Sequence, residues 1–181
     1  MDLDEYAKKR NFLSTGEPAD FPVPEDDKVK DLNLELSFVV QKHFATHLHY
    51  DFRLELDGAL KSWAVPKGPS LNPVEKRLAV MVEDHPLEYK DFQGAISEGN
   101  YGAGEVLIWD KGTYNALGAN EKNRSMEIIR DGLVKGHIAF ILKGNKLKGE
   151  FSLIRLKKSD PRNWLLVKKR DEFADSNDIL I

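Results

Sequence analysis

The sequence predicts a mainly β, antiparallel fold, either a sandwich or a barrel, with few helices. Short apolar runs separated by Gly-, Asn- and Asp-containing turns recur from Ser37 to Lys168. One of them, His47 to Leu56, alternates polar and apolar residues almost without exception, the period of a pleated strand. Within that stretch only Asn120 to Arg130 has helical spacing.

In chain order, Leu3 to Phe12 predicts a short helix ending before Ser14-Thr15-Gly16. Residues 17–28 then place Pro18, Pro22 and Pro24 among Glu17, Glu25, Asp26 and Asp27. Proline's locked φ and missing N–H keep such a segment out of regular structure. Residues 1–36 are therefore expected to form an arm laid over a body at 37–173, followed by a tail at 174–181. Phe38 to Gln41 predicts a strand, His43 to Thr46 a turn region, and Asp57-Gly58 a hairpin turn that returns the chain as Lys61 to Val65. Pro66 to Pro73 reads as a loop and Leu78 to Val82 as a buried apolar strand. Val106 to Trp109 and Thr113-Tyr114 read as strands flanking a turn at Asp110-Lys111-Gly112. The helix at Asn120 to Arg130 is expected to close on Gly132. His137 to Leu142, Glu150 to Leu156 and Trp164 to Lys168 complete the strands, with Gly144-Asn145 turning between the first two.

Composition excludes several classes. The chain has 181 residues, 41% hydrophobic and 31% charged, which suits one globular domain. No apolar run approaches the roughly 18 residues of a membrane span, and Met1-Asp2-Leu3-Asp4-Glu5 is too acidic for a secretion signal. With no cysteine there are no disulfides and no thiolate ligands, so any metal must be held by nitrogen and oxygen. A cytoplasmic, monomeric protein away from membranes is the expectation. The net charge of −3 argues against coating DNA non-specifically but leaves room for a local basic patch that meets phosphate.

The alternating strand carries the chemistry. Its apolar positions are expected to bury, leaving His47, His49, Asp51, Arg53 and Glu55 on one polar face. His49 and Asp51 can reach one ion, and His43, leading into the strand, can supply a third ligand. Two histidines and a carboxylate with open positions suit Mn, Fe or Zn. The bland alternative is a polar strand face with one His–Asp hydrogen bond. The third histidine and the adjacent Arg53 favour the ion. Arg53, one pleat farther, is either a phosphate clamp or the cation of a cross-strand salt bridge to Glu55 or another acid. Lys67, in the stiff Pro66-Lys67-Gly68-Pro69 loop, and Arg77, opening a strand, are weak candidates alone. His85, just past a strand end and followed by Tyr89, is either a general acid or phosphate donor, or structural. Ser97 to Gly104 is glycine-rich but lacks a Lys-Ser/Thr ending and leads into a strand, so a nucleotide-binding loop is not expected. His137, alone on an apolar strand, reads as packing.

Three longer runs are specific: Phe38 to His43 with Leu48 to Glu55, Leu60 to Ser70, and Glu83 to Tyr89. With Glu98 to Val106 and Ile108 to Tyr114 they resemble the 3′-phosphoesterase domain of bacterial ATP-dependent DNA ligase D over essentially the whole chain. Without an accompanying nucleotidyltransferase or polymerase module, the chain resembles the family's free-standing members.

The resemblance implies a closed antiparallel β-barrel with a few short flanking helices. It implies Mn²⁺, or Co²⁺, Zn²⁺ or another divalent cation, held by His43, His49 and Asp51. It implies phosphate contacts from Arg53, His85 and Tyr89, with Lys67, Arg77 and Glu83 as further site residues and Arg10 and Glu17 contributed by the arm. The implied substrate is duplex DNA ending in a 3′-ribonucleotide or a 3′-phosphate. The ribonucleoside is removed by a phosphodiesterase step and the phosphate by a phosphomonoesterase step, leaving a 3′-OH for a separate polymerase and DNA ligase of an end-joining pathway. Asn11 departs from the family's Arg-Asp-Phe in the arm, which puts the diesterase step in doubt. His47 stands on the ligand face as a possible fourth donor and is expected to lie too far along the strand.

Two other classes compete. An Fe(II)-dependent β-barrel oxygenase would use His49, Asp51 and the distant His137, but wants an arginine soon after the distal histidine, and the first is Arg155. A non-catalytic DNA-end-binding barrel would present Trp63, Trp109 and Tyr114 as stacking platforms.

Overall fold

The computed structural model describes residues 3–19 and 35–180. Two short helices, α1 (Leu3–Lys8) and α2 (Phe12–Thr15), precede the strands β1 (Leu36–Phe44), β2 (Leu48–Leu56), β3 (Ala59–Val65), β4 (Lys76–Met81), β5 (His85–Pro86), β6 (Gly94–Ile96) and β7 (Gly104–Ala116). A single 3₁₀ turn, Leu87–Asp91, lies between β5 and β6. After helix α3 (Lys122–Lys135) come β8 (His137–Gly144), β9 (Lys148–Arg155) and β10 (Asn163–Lys168). Every pairing is antiparallel, in the order β1-β2-β3-β4-β10-β9-β8-β7, and β7 pairs again with β1. The eight strands close on themselves, removing the exposed edge that an open sheet would present. This is the closed antiparallel barrel expected from the resemblance.

One face of each strand fills the interior. Phe38, Val40, Phe52, Leu54, Trp63, Tyr114, Phe140, Phe151, Leu153 and Trp164 all join one buried apolar cluster. Burying each such side chain stabilises the fold by about 1.5–3 kcal/mol. Asp57 and Gly58, with φ of 54° and 78°, make the tight turn between β2 and β3 that was read from the sequence. That turn fixes the register Arg53↔Ser62 and Asp51↔Ala64. The hairpin before it sets His43 opposite His49 and Gln41 opposite Asp51. A polar patch on the outer wall of β1–β3 is thus fixed by two hairpins.

The structure corrects several local expectations. His43 and Phe44 belong to β1, and the chain reverses at residues 45–47 instead. Asp110-Lys111-Gly112 is not a turn: β7 runs unbroken for 13 residues, with a register shift against Val40/Gln41. Asp110 is buried and accepts the backbone N–H groups of Asn145, Lys146 and Leu147 at 2.9, 3.1 and 2.8 Å, so its turn-like chemistry serves a different turn. In β4 only Ala79 is buried, and Leu78 is exposed. Helix α3 continues to Lys135 and ends on Gly136, while Gly132 lies inside it, pressed against the start of β8. The expected helix over Leu3 to Phe12 is broken after Lys8. His137 is exposed at the head of β8, not packed. Residues 20–34, most of the acidic and proline-rich stretch, lie outside the described residues.

Candidate metal centre and its cleft

The polar row of β2 is not a solvated face. Asp51, Arg53 and Glu55 are buried along with their apolar neighbours. Their cover comes from segments remote in sequence. Tyr6 of α1 packs with Leu60 and Tyr89, flanked by Phe12, Leu87 and Phe92. This small apolar cluster roofs the outer wall, and a cleft of about 210 Å³ remains beneath it. Arg10, Glu17, His43, His49, Asp51, Arg53, Glu83, His85 and Tyr89 all line that cleft.

At one end stand His43, His49 and Asp51, with a ligand atom from each lying within 4.8 Å of the others. His43 Nδ1 is 3.6 Å from one Asp51 oxygen and His49 Nε2 is 3.6 Å from the other. Ligands about 2.1 Å from a shared ion lie roughly 3 to 3.5 Å apart, so little movement would seat one. The outer ring nitrogens are already engaged. His43 Nε2 donates to the Gly102 carbonyl at 2.8 Å, and His49 Nδ1 donates to the His47 carbonyl at 2.9 Å. Each bond fixes a tautomer whose lone pair faces Asp51, the arrangement in which histidine ligands are usually held. His47 contributes its backbone oxygen, and its exposed ring stands outside the triad.

Arg53 is held on three sides. Nε donates to Gln41 at 2.7 Å, Nη1 to Ser62 at 2.9 Å and Nη2 to Asp51 at 3.0 Å. The alternative partner, Glu55, instead accepts the Ser37 N–H and pairs with Lys122. Burial pushes the Asp51 carboxyl up, but the Arg53 guanidinium and the two histidines outweigh it and hold the group well below the usual carboxylate range. Gln41 also donates to the Tyr89 and Phe92 carbonyls at 3.0 and 2.8 Å, tying the roof to the wall.

Arg10 reaches in from the arm, stacked over Tyr6 with its carbon 4.0 Å from the ring centre. It donates to Glu17 at 3.1 Å and to Glu83 at 3.0 Å, and its remaining nitrogen lies 3.2 Å from His85 Nε2. Guanidinium has no acceptor, so that His85 nitrogen carries a lone pair, and His85 Nδ1 donates to the Glu83 carbonyl at 3.0 Å. Burial, with the Arg53 and Arg10 cations, drives His85 well below its ordinary value and keeps it neutral. Tyr89 donates its hydroxyl to Glu17 at 3.2 Å. Burial pushes the phenol upward, beyond what Arg53 offsets. The second Glu17 oxygen is buried and has no hydrogen-bond partner among the described residues.

Burial likewise pushes the Glu83 carboxyl up, but its backbone hydrogen bond, Arg10 and Lys9 hold it below its ordinary value of 4.5. Unfolded Glu83 therefore binds its proton more tightly than folded Glu83. The stability it contributes is present above pH 4.5 and is lost as pH falls through the depressed value. Glu83→Gln is expected to lower the urea midpoint at neutral pH, with the gap to the parent closing in acid. A gap independent of pH would refute this assignment.

Of the residues singled out in the sequence, Lys67 and Arg77 do not line the cleft. They form a separate pair, Arg77 Nη1 donating to the Lys67 carbonyl at 2.8 Å. Asn11 is exposed beside α2 and also lies off the cleft. Gln41, Ser62 and Tyr101 were missed. The first two share the ligand row by register, opposite Asp51 and Arg53, a parity that the Asp57-Gly58 turn makes countable for Ser62. The competing readings lose most of their residues: His137 is not in the triad, Trp63 and Tyr114 are fully buried in the core, where no base can reach, and Trp109 is half-buried and lies off the cleft. No helix among the described residues is long and apolar enough to cross a membrane.

Residues 41–155 match the family model described as "DNA Ligase D 3'-phosphoesterase domain". The chain is 51% identical over 177 residues to the "Multifunctional non-homologous end joining protein LigD" of Pseudomonas aeruginosa, covering 97% of this chain and 19% of that protein. It is 40% identical over 174 residues to the protein of the same name from Mycolicibacterium smegmatis, covering 94% of this chain and 21% of the relative. A third relative, "Multifunctional non-homologous end joining DNA repair protein LigD" of Mycobacterium tuberculosis, is 42% identical over 172 residues, 94% of this chain and 20% of its own length. The chain spans about a fifth of the length of the curated relatives it matches.

Proposed function

The chain belongs to the DNA ligase D 3′-phosphoesterase domain family, and from that premise we propose that it is a Mn²⁺-dependent hydrolase that restores 3′-OH ends on DNA for end joining. Its substrates are duplex ends carrying a 3′-ribonucleoside or a 3′-phosphate, handed on to a ligase and polymerase. The observation that supports this best is the charge of the cleft. Arg10 and Arg53 in the cleft, with Lys9 paired to Glu83, are matched by three carboxylates, Glu17, Asp51 and Glu83. These groups leave a phosphate no surplus of positive charge, and one divalent cation at His43, His49 and Asp51 would supply it.

The donor set fits such an ion: two imidazole lone pairs and a carboxylate, each oriented by a hydrogen bond behind it. When bound, the ion supplies charge neutralisation at the phosphate's non-bridging oxygens and acidifies a water molecule. Arg53, anchored by Gln41 and Ser62, faces the phosphate without reorganising and balances charge that grows as the bond breaks. His85 Nε2, unprotonated in the free protein, takes a proton from solvent as the anionic phosphate enters and gives it to the leaving oxygen as the P–O bond breaks. The attacking water's proton passes to solvent. Tyr89 adds a hydroxyl donor. Glu17, with one oxygen that has no hydrogen-bond partner among the described residues, accepts a hydrogen bond from the hydroxyls of a terminal ribose.

The test is a duplex with a recessed 3′ end, terminated by a ribonucleotide or a phosphate and incubated with Mn²⁺ or with EDTA. Conversion to a 3′-OH is expected only with metal, and is expected to be lost in His49→Ala and His85→Ala. Turnover equal in the two conditions would overturn the proposal.

A further inference from the structure

The geometry points to Tyr101 as a stacking platform for a nucleobase flanking the reacting phosphate, an inference that rests on the proposed DNA-end substrate. Tyr101 lines the same cleft as the triad, yet is 50% exposed at its mouth, whereas Tyr6 and Tyr89 are buried. Two cations attend it: Lys9 Nζ is 5.1 Å and the Arg10 guanidinium carbon 5.4 Å from the ring centre. The loop that carries it cannot easily take another course. Gly102 has φ of 77°, and a side chain at Gly104 would strike the Phe44 carbonyl. The Gly102 carbonyl holds His43, so the aromatic ring stands one residue from the group that orients a triad histidine. A phosphate at the triad has a sugar and base on at least one side, and a half-exposed ring at the cleft mouth offers that base a flat face.

The experiment uses the whole chain with Tyr101→Ala and Tyr101→Phe. The duplexes carry a normal base or an abasic residue, either at the nucleotide bearing the phosphate or at the terminal ribose. The affinity readout uses the matching 3′-OH duplex, which cannot turn over, with and without its terminal base. Removing a base at one of the two positions is expected to raise KM about tenfold in the parent and in Tyr101→Phe, and to change nothing in Tyr101→Ala. The position that responds identifies which base stacks. Unchanged Mn²⁺ affinity and unfolding midpoint in Tyr101→Ala separate stacking from collapse of the loop around His43. Equal base dependence in the parent and in Tyr101→Ala, in both affinity and KM, overturns the inference. A parent that binds ends with base dependence but cleaves none of them overturns the hydrolase reading and leaves the platform standing.

Discussion

Asp51→Asn is expected to abolish Mn²⁺ binding and to lower hydrolysis of a 3′-phosphate end by on the order of 10³-fold or more. The ion contributes several kcal/mol of transition-state stabilisation, and each 1.36 kcal/mol, or about that, is a factor of ten. Asparagine keeps an oxygen toward His43 and His49 but removes the charge that draws a cation between them. It also leaves Arg53 buried with Gln41 and Ser62 and without its carboxylate, which costs about 3–5 kcal/mol of stability. A signature separates this from simple unfolding. In EDTA the variant's cleft holds two guanidiniums and two carboxylates, so it should bind inorganic phosphate at least as well as the parent. Electron paramagnetic titration of Mn²⁺, phosphate affinity in EDTA and single-turnover cleavage together check the prediction. Retention of Mn²⁺ binding and turnover by the variant would refute the triad.

Arg10→Ala is expected to detach the arm. Among the described residues Arg10 is the one cation that faces both Glu17 and Glu83, whose side chains are 0% and 3% exposed. Without it two buried carboxylates lose their main partner, at a cost of about 3–5 kcal/mol. The contacts left between arm and wall are the Tyr6 cluster, Lys9–Glu83 and Tyr89–Glu17, and undocking relieves that penalty by returning both carboxylates to water. Trypsin should then cut faster at Lys8 and Lys9 while the barrel core keeps its hydrogen-exchange protection. Equal cleavage in parent and variant would show that the arm is held by other means.

An antiparallel, mainly β fold was legible because its strands alternate and its turns carry glycine and asparagine at the right places, whereas closure into a barrel was implied by the family resemblance alone. Asp110-Lys111-Gly112 misled because turn propensity is local, whereas β7 is held straight by β1 on one side and β8 on the other. His49 and Asp51 were legible as candidate ligands because spacing of two on a strand guarantees a shared face. Burial of the row was not, because its roof comes from residues 3–17 and 83–92, and nothing in β2 announces that cover. Gln41 and Ser62 are neutral polar residues inside apolar runs, so they become visible only once strand partners are known. Tyr101 was hidden for a different reason: a glycine-rich loop suggests where backbone bends, not which side chain it holds at a cleft mouth.

The candidate ligands lie on the same two strands whose other positions fill the core: His43 on the strand of Phe38 and Val40, Asp51 between Tyr50 and Phe52. Slipping β2 by one residue would turn the histidine and carboxylate into the apolar core and push Phe52 among the polar groups of the cleft. Assembly of the reactive centre and correctness of the hydrophobic packing are therefore one event. A molecule that has passed its folding checkpoint has its ligand set ready to receive an ion, with no additional ordering of those two strands required.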